Sequence, residues 1–221
     1  MGFSIAIDGP AGAGKSTIAK NIAKQLGFIY VDTGAMYRAI ALYLLRNQIG
    51  ANESEKISEA CNHADITIIY KDGEQQVILN GENVSTLIRT EEVGNMASAG
   101  AKNKEVRLKL VDLQRKLANE SDVVMDGRDI GTYVLPNANV KVYLTASSSE
   151  RARRRWAELT EKGISCNQDE IEKDIIARDE QDMNRDFAPL RQAEDAILLD
   201  SSNMDINQVT HAIINLYKEN I

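Results

Sequence analysis

The chain has 221 residues, 43% of them hydrophobic and 27% charged, a globular composition rather than a disordered or fibrous one. A chain of this length buries roughly 70–75% of the surface its unfolded form exposes, so a real core is available. The net charge of −7 argues against a non-specific coat for nucleic acid, and the longest apolar run, Ala39 to Leu45, is far short of the ~20 residues a membrane helix needs.

In chain order, Phe3–Asp8 predicts a short buried strand, and no basic and apolar leader precedes it, so no signal peptide is expected. Residues 9–16 are a Gly-rich loop. Ile18, Ile22 and Leu26 then recur every four residues, with Ala19 and Ala23 beside them, as one face of a helix. Phe28–Val31 reads as a second strand and Met36–Arg46 as an apolar helix. Ile66–Tyr70 and Gln76–Leu79 flank Asp72-Gly73, a hairpin signal, and Asn80-Gly81 follows as another turn. These predict a small antiparallel insert at about residues 63–90, followed by a long helical pattern over about 91–118. Val123–Asp126, Val140–Thr145 and Ile197–Asp200 lack polar alternation, as strands buried on both faces do. Ser147 and Glu150 fit a capping box at a helix start, and Ile206, Val209, Ile213 and Leu216 mark one face of a final helix. The expected core is an α/β arrangement: a parallel sheet wrapped by helices. Cys61 and Cys166 cannot build a disulfide framework and are expected as free thiols in a cytosolic protein.

Residues 9–16, GPAGAGKS, match G-x-x-x-x-G-K-[ST], with Thr17 following and with the strand before and helix after that the motif requires. Gly9, Gly12 and Gly14 let the backbone turn tightly, so that the loop of Gly9, Pro10, Ala11, Gly12, Ala13 and Gly14 points successive N–H groups into one concavity for an anion. That concavity lies at a helix N-terminus, where the dipole also favours negative charge. Lys15 supplies a point charge for β- and γ-phosphates, and the Ser16 hydroxyl is placed to ligate Mg²⁺. This establishes a nucleoside-triphosphate site without fixing the reaction.

Arginines outside the loop narrow the class. A protein of net charge −7 that binds polyanions must concentrate positive charge locally, and Arg151, Arg153, Arg154 and Arg155 put four arginines into five residues. Arg38, Arg107, Arg128, Arg178 and Arg185 stand in mixed-charge segments, and several guanidinium forks suit two clustered polyphosphates better than one. Arg178, Asp182 and Arg185 are spaced i, i+4 and i+7 and share a helix face. A guanine-reading N-K-x-D motif is absent.

Four segments together, GPAGAGKST (9–17), DTGAMYR (32–38), DGRDIG (126–131) and RDEQDMNRDFAPL (178–190), resemble the bacterial cytidylate kinases, a branch of the nucleoside-monophosphate kinases. The phosphate loop is shared by many families; the other three segments are far more discriminating. The resemblance spans essentially the whole chain. It implies the P-loop nucleoside-monophosphate kinase fold, with a central parallel sheet of about five strands. It divides the chain into a core (1–37, 108–150 and 179–221), a monophosphate-binding region (38–107) holding the β insert, and a short helical lid (151–178).

The resemblance also implies roles. Thr33, Arg38 and Arg128 resemble clamps on the acceptor phosphate, Arg185 the arginine between donor and acceptor phosphates, and Arg178 and Asp182 the sugar contacts. Ser98, Arg107 and Asp129 resemble the readers of cytosine. That last role makes chemical sense, because the N4 amino group of cytosine donates to a carboxylate while O2 and N3 accept from Arg or Ser. Arg151 and Arg155 of the lid are assigned to ATP, and Asp126, at a strand end, to a Mg²⁺-bound water. The implied reaction is ATP + CMP → ADP + CDP, with dCMP a second acceptor. The partners are thus small nucleotides, not nucleic acid or membrane, and the protein is expected to be cytoplasmic and monomeric. The acceptor phosphate is already ionised, its second pKa being about 6, so no general base is needed and His63 and His211 carry no role. Two other readings fit the loop alone: a kinase for another small acceptor, and a nucleotide-binding switch without transfer activity.

Overall fold

The computed structural model describes residues 2–71 and 73–221. Asp72 of the Asp72-Gly73 hairpin signal therefore lies outside the described residues.

Five parallel strands, β1 (Ser4–Asp8), β2 (Ile29–Asp32), β6 (Val123–Gly127), β7 (Val140–Thr145) and β8 (Ile197–Asp200), form the central sheet in the order β2-β6-β1-β7-β8. The missing polar alternation has a direct cause in the packing. On β1, Ile5 and Ile7 enter one apolar layer and Ala6 the opposite one; on β6, Val124 joins the first and Val123 and Met125 the second. The first layer is closed by α1 (Lys15–Leu26) and α8 (Ile206–Glu219), through Ile18, Ile22, Val209 and Ile213. The second is closed by α2 (Thr33–Arg46) and α5 (Lys104–Glu120), through Met36, Ile40 and Leu110. Helices on both faces of a parallel sheet are what strands buried on both sides require. Among the described residues no helix is long and apolar enough to cross a membrane.

The insert is a three-stranded antiparallel sheet of β3 (Ile66–Lys71), β4 (Glu74–Leu79) and β5 (Glu82–Asn83), the last after the Asn80-Gly81 turn. It docks on the free edge of β2. The Gln75 side chain accepts from the Asp32 N–H at 2.8 Å and donates to the Asp32 carbonyl at 3.2 Å, so one amide stands in for a strand partner.

Several local features differ from the sequence reading. β8 is an edge strand with Ile197 and Leu198 exposed, not a strand buried on both faces. The helix Gln168–Met183 ends before Arg185, so Arg185 does not share a helix face with Arg178 and Asp182. The helical pattern over 91–118 is two helices, α4 (Glu91–Gly100) and α5, separated at Asn103. The Asn103 carboxamide accepts from the N–H groups of Glu105 and Val106 and donates to the Ser54 carbonyl at 3.0 Å, an arrangement a continuous helix would forbid. A helix not expected, α3 (Ser54–His63), buries only Ile57 and Cys61, too sparse a stripe to show periodicity. The capping box at α6 (Ser148–Glu161) is half formed. Ser147 Oγ accepts from Glu150 N–H at 3.2 Å, but the Glu150 carboxylate is held by Arg153 and Arg154 instead of returning to the cap. The complete box is at α8, where Asp205 and Gln208 satisfy each other.

Because the strands run parallel, their C-terminal ends gather at one edge. The loop after β1, the start of α2 after β2 and the Arg128–Asp129 turn after β6 all open there. In open parallel sheets this edge is where ligands bind.

Candidate active site

The phosphate loop follows β1 directly. Gly9, Gly12 and Gly14 take φ of 149°, 75° and 83°, the conformations that the glycine pattern predicted. At Gly9 a Cβ would stand 1.9 Å from the Leu144 carbonyl oxygen, so no other residue fits without moving β7. Lys15 is 6% exposed and its ammonium donates to the Pro10 carbonyl at 2.7 Å. Burial, and next to it the charge of Arg128, lower its pKa to about 7. An ammonium in that situation is strongly favoured by an incoming anion.

A cleft of about 1430 Å³ opens from this loop, lined by Ala11 to Thr17. Gly9 and Pro10 are not on its wall and support it from behind. Beside Ser16 lies Asp126, whose Oδ2 accepts from Ser16 Oγ at 2.9 Å and whose Oδ1 accepts from the Tyr30 hydroxyl at 2.8 Å. Burial, followed by the charge of Asp32, pushes the Asp126 carboxyl above the usual carboxylate range, which marks a buried acid short of positive charge. A hydroxyl and a carboxylate side by side are hard oxygen donors that suit Mg²⁺. Among the described residues no group of three or more His, Cys, Asp or Glu could hold a metal ion.

The same cleft gathers arginines from distant segments. Thr33, Arg38, Ser98, Arg107, Arg128, Asp129, Arg178, Asp182 and Arg185 all line the same cleft. Asp129 is its centre. One carboxylate oxygen pairs with Arg107 Nη2, and the other lies 3.3 Å from Arg185 Nη2. Arg128 Nε donates to Asp182 at 2.7 Å, and Thr33 Oγ1 donates to the Asp126 carbonyl at 2.7 Å. Arg38 is anchored to the Ile88 and Thr90 carbonyls at 2.9 and 3.2 Å. Arg38 and Arg178 both fall below the ordinary guanidinium range, first through burial and then through a neighbouring arginine, Arg89 for Arg38 and Arg128 for Arg178. Cations that repel one another inside a cleft are held ready for an anion.

The helical lid segment forms a hairpin of α6 and α7 (Gln168–Met183), and its two predicted arginines are used differently. Arg151 is buried, paired with Asp179 at 2.6 Å, and donates to the Ala11 carbonyl at 2.8 Å, while Asp179 accepts from Ala11 N–H at 3.1 Å. The hairpin thereby grips both backbone polar groups of one loop residue, Ala11. Arg155 sits at the surface with Glu158 at 2.8 Å. Sequence reasoning passed over Asp179, which stands next to Arg178 but one step round the helix, and Gln181, which donates to Ser98 Oγ at 2.9 Å. It also missed Arg89, on the cleft wall and 3.0 Å from Asp32 Oδ2; an isolated surface-like arginine carries no signal.

A family model described as Cytidylate kinase matches residues 5–219. The chain belongs to the cytidylate kinase family. Proteins named cytidylate kinase from Caldicellulosiruptor saccharolyticus and Desulfitobacterium hafniense are 53% and 50% identical, over 97% and 99% of this chain and 95% and 94% of theirs. Two solved structures share the fold at low identity. A gluconokinase from Sinorhizobium meliloti has a TM-score of 0.51 at 13% identity, covering 99% of this chain and 93% of that one. A shikimate kinase from Bacteroides thetaiotaomicron has a TM-score of 0.50 at 15% identity, covering 98% of both. Membership of the cytidylate kinase family makes the chain an enzyme, a phosphotransferase of the nucleoside-monophosphate kinase class on a P-loop kinase fold.

Proposed function

We propose that the protein transfers the γ-phosphoryl group of ATP to CMP, with dCMP as a second acceptor, giving ADP and CDP or dCDP. The observation that carries this reading is a single cleft lined by both the phosphate loop and the Asp129-centred arginine cluster. In this reading the triphosphate lies along residues 9–17 with Lys15 at the β- and γ-phosphates, and Arg155 closes from the lid (151–178). The monophosphate enters between residues 38–107 and the core. Its phosphate meets Thr33, Arg38 and Arg128, its sugar Arg178 and Asp182, and its base Ser98, Arg107 and Asp129. Arg107 supports the base-reading role: its Nε is buried without a hydrogen-bond partner among the described residues, a donor that a base acceptor would satisfy.

Transfer needs positioning and charge neutralisation more than covalent chemistry. Lys15, Arg128 and Arg185 stabilise negative charge on the transferring group, and their fixed places spare reorganisation during the reaction. Mg²⁺ bound with the triphosphate would neutralise phosphate charge; Ser16 would ligate it directly and Asp126 through water. The acceptor oxygen is anionic near neutral pH, so the chain supplies no base. Closure of the lid and the acceptor-binding region keeps water from the γ-phosphate. The enzyme is read as a cytoplasmic monomer acting on free nucleotides.

The test is a panel of CMP, dCMP, UMP, AMP and GMP with ATP. The expected result is highest kcat/KM for CMP, with dCMP accepted. Preference for UMP or AMP overturns the acceptor assignment, and nucleotide binding without any transfer overturns the reaction.

A further inference from the structure

Asp8, the last residue of β1, is only 4% exposed and stands immediately before the phosphate loop. None of the roles above uses it. Its carboxylate points across the sheet. Oδ1 accepts from the Ile130 N–H at 2.8 Å and Oδ2 from the Gly131 N–H at 2.7 Å. These N–H groups open a single turn of π-helix, Ile130–Val134, where the backbone donors of a helix start have no partner within the helix. The usual solution is local: a residue such as Asp at the N-cap turns its own side chain onto those donors. The N-cap residue here is Asp129, and its side chain caps nothing. It turns instead to Arg107 and Arg185.

We infer that Asp8 is a positioning residue for acceptor selectivity: by capping the 130–134 turn from the neighbouring strand, it frees the Asp129 carboxylate to face the cleft. The inference deepens the base-reading role of Asp129 and rests on it. Parallel pairing of Asp8 with Gly127 fixes the distance between the two strand ends. Gly131 lies against the same carboxylate: a Cβ there would reach Asp8 Oδ2 at 3.4 Å, an ordinary contact, and Lys141 Cδ at 3.2 Å, so a methyl presses on the turn without a severe clash. Without the Asp8 carboxylate the turn donors fall to Asp129, the nearest oxygen acceptor at the N-cap, and its side chain leaves the arginines. Asp8 also joins the two substrate sites, since one residue ends the strand leading into the phosphate loop and holds the turn that carries the acceptor reader.

The experiment compares Asp8→Asn, Gly131→Ala and Asp129→Asn by steady-state kinetics with CMP and UMP, with thermal unfolding alongside. An asparagine keeps the shape but presents an amino group to one of the two N–H donors. For Asp8→Asn we expect KM for CMP to rise and the CMP-over-UMP ratio of kcat/KM to fall by about tenfold or more, with KM for ATP nearly unchanged. Gly131→Ala should lower the same ratio, and it carries the test if Asp8→Asn does not fold. The Asp8→Asn, Asp129→Asn double variant should lose no more selectivity than Asp129→Asn alone, because Asp8 acts through Asp129. A ratio kept in Asp8→Asn and Gly131→Ala while Asp129→Asn loses it means Asp8 is merely structural and overturns the inference. A ratio kept in Asp129→Asn overturns the base-reading role, and the Asp8 inference with it.

Discussion

The two sides of the cleft are built from different materials. The donor side is main chain: a glycine-bent loop held by the Lys15–Pro10 bond and by Arg151 and Asp179 on the two polar groups of Ala11. The side proposed to take the acceptor is side chain: guanidinium and carboxylate groups from α5, α7, the turn after β6 and Arg185 just beyond α7, meeting at Asp129 and Asp182. A main-chain cradle recognises what all triphosphates share and is insensitive to the acceptor. A side-chain network can read one base, but every member depends on its partners, because a buried charge left alone is costly. Substitutions on the two sides should therefore fail in different ways.

The largest expected effect is on the donor side. Lys15→Ala should reduce transfer by about 10³-fold or more with CMP and dCMP alike, because the lost charge acts on the transferring group. It should change the melting temperature little, because losing the Lys15–Pro10 bond is offset by removing an ammonium buried next to Arg128 at an unfavourable pKa. Coupled-assay kinetics and thermal unfolding check both halves. A loss confined to one acceptor would contradict the division between the two sides.

On the acceptor side, Asp129→Asn should leave KM for ATP nearly unchanged and lower the CMP-over-UMP ratio by about 10²-fold. Asp129→Ala is a harsher variant, because it strands Arg107, 1% exposed, without its carboxylate. It should also destabilise the fold by about 3–5 kcal/mol, measurable by chemical denaturation. Equal selectivity in Asp129→Asn and the parent would remove base reading from this residue.

The next test uses pH. Lys15 has a pKa near 7 in the nucleotide-free protein, against 10.5 for an ordinary lysine, with burial the main cause and Arg128 the next. A bound triphosphate restores the charge, so binding above pH 7 takes up a proton. ATP affinity should fall as pH rises above 7, by up to about tenfold per unit, and calorimetry at pH 8 in two buffers of different ionisation enthalpy should report uptake of up to about one proton. In the free protein the unfolded chain holds the extra proton between about 7 and 10.5, so Lys15 makes stability rise with pH across that window. Binding without proton uptake at pH 8, or uptake that persists in Lys15→Met, would break this account.

The same division explains what could be read in advance. The five parallel strands and the loop were legible because each is a local pattern: strand runs without polar alternation, and glycines at the positions that take positive φ. The residues proposed for the acceptor stood out in the sequence only as arginines among mixed charge, and the resemblance alone gave them roles, since nothing local brings Arg107 on α5 to Asp129 beyond β6. Asp8 and Asp179 were not legible at all. Each is an acidic residue beside a better-known motif, and its value lies in backbone N–H groups far away in the chain. The break at Asn103 was hidden for a related reason, because the groups its amide binds belong to α3, a helix too polar to show a stripe.

The smallest expected effect tests whether the donor side uses any side chain of the lid. Arg155 lines the cleft about half exposed and is paired with Glu158, so Arg155→Ala should change stability by less than about 1 kcal/mol. Its neighbour Arg151 cannot serve as the comparison, because it fastens the loop through Ala11 and Asp179 and its loss would disturb the cradle itself. If the surface arginine closes over the triphosphate, Arg155→Ala should raise KM for ATP several-fold and leave KM for CMP and the CMP-over-UMP ratio untouched. An unchanged KM for ATP would leave the donor side dependent on main chain, Lys15 and metal alone, and would sharpen the contrast between the two walls. A change in CMP selectivity would blur it, because a residue of the donor wall would then be reaching the base on the other side.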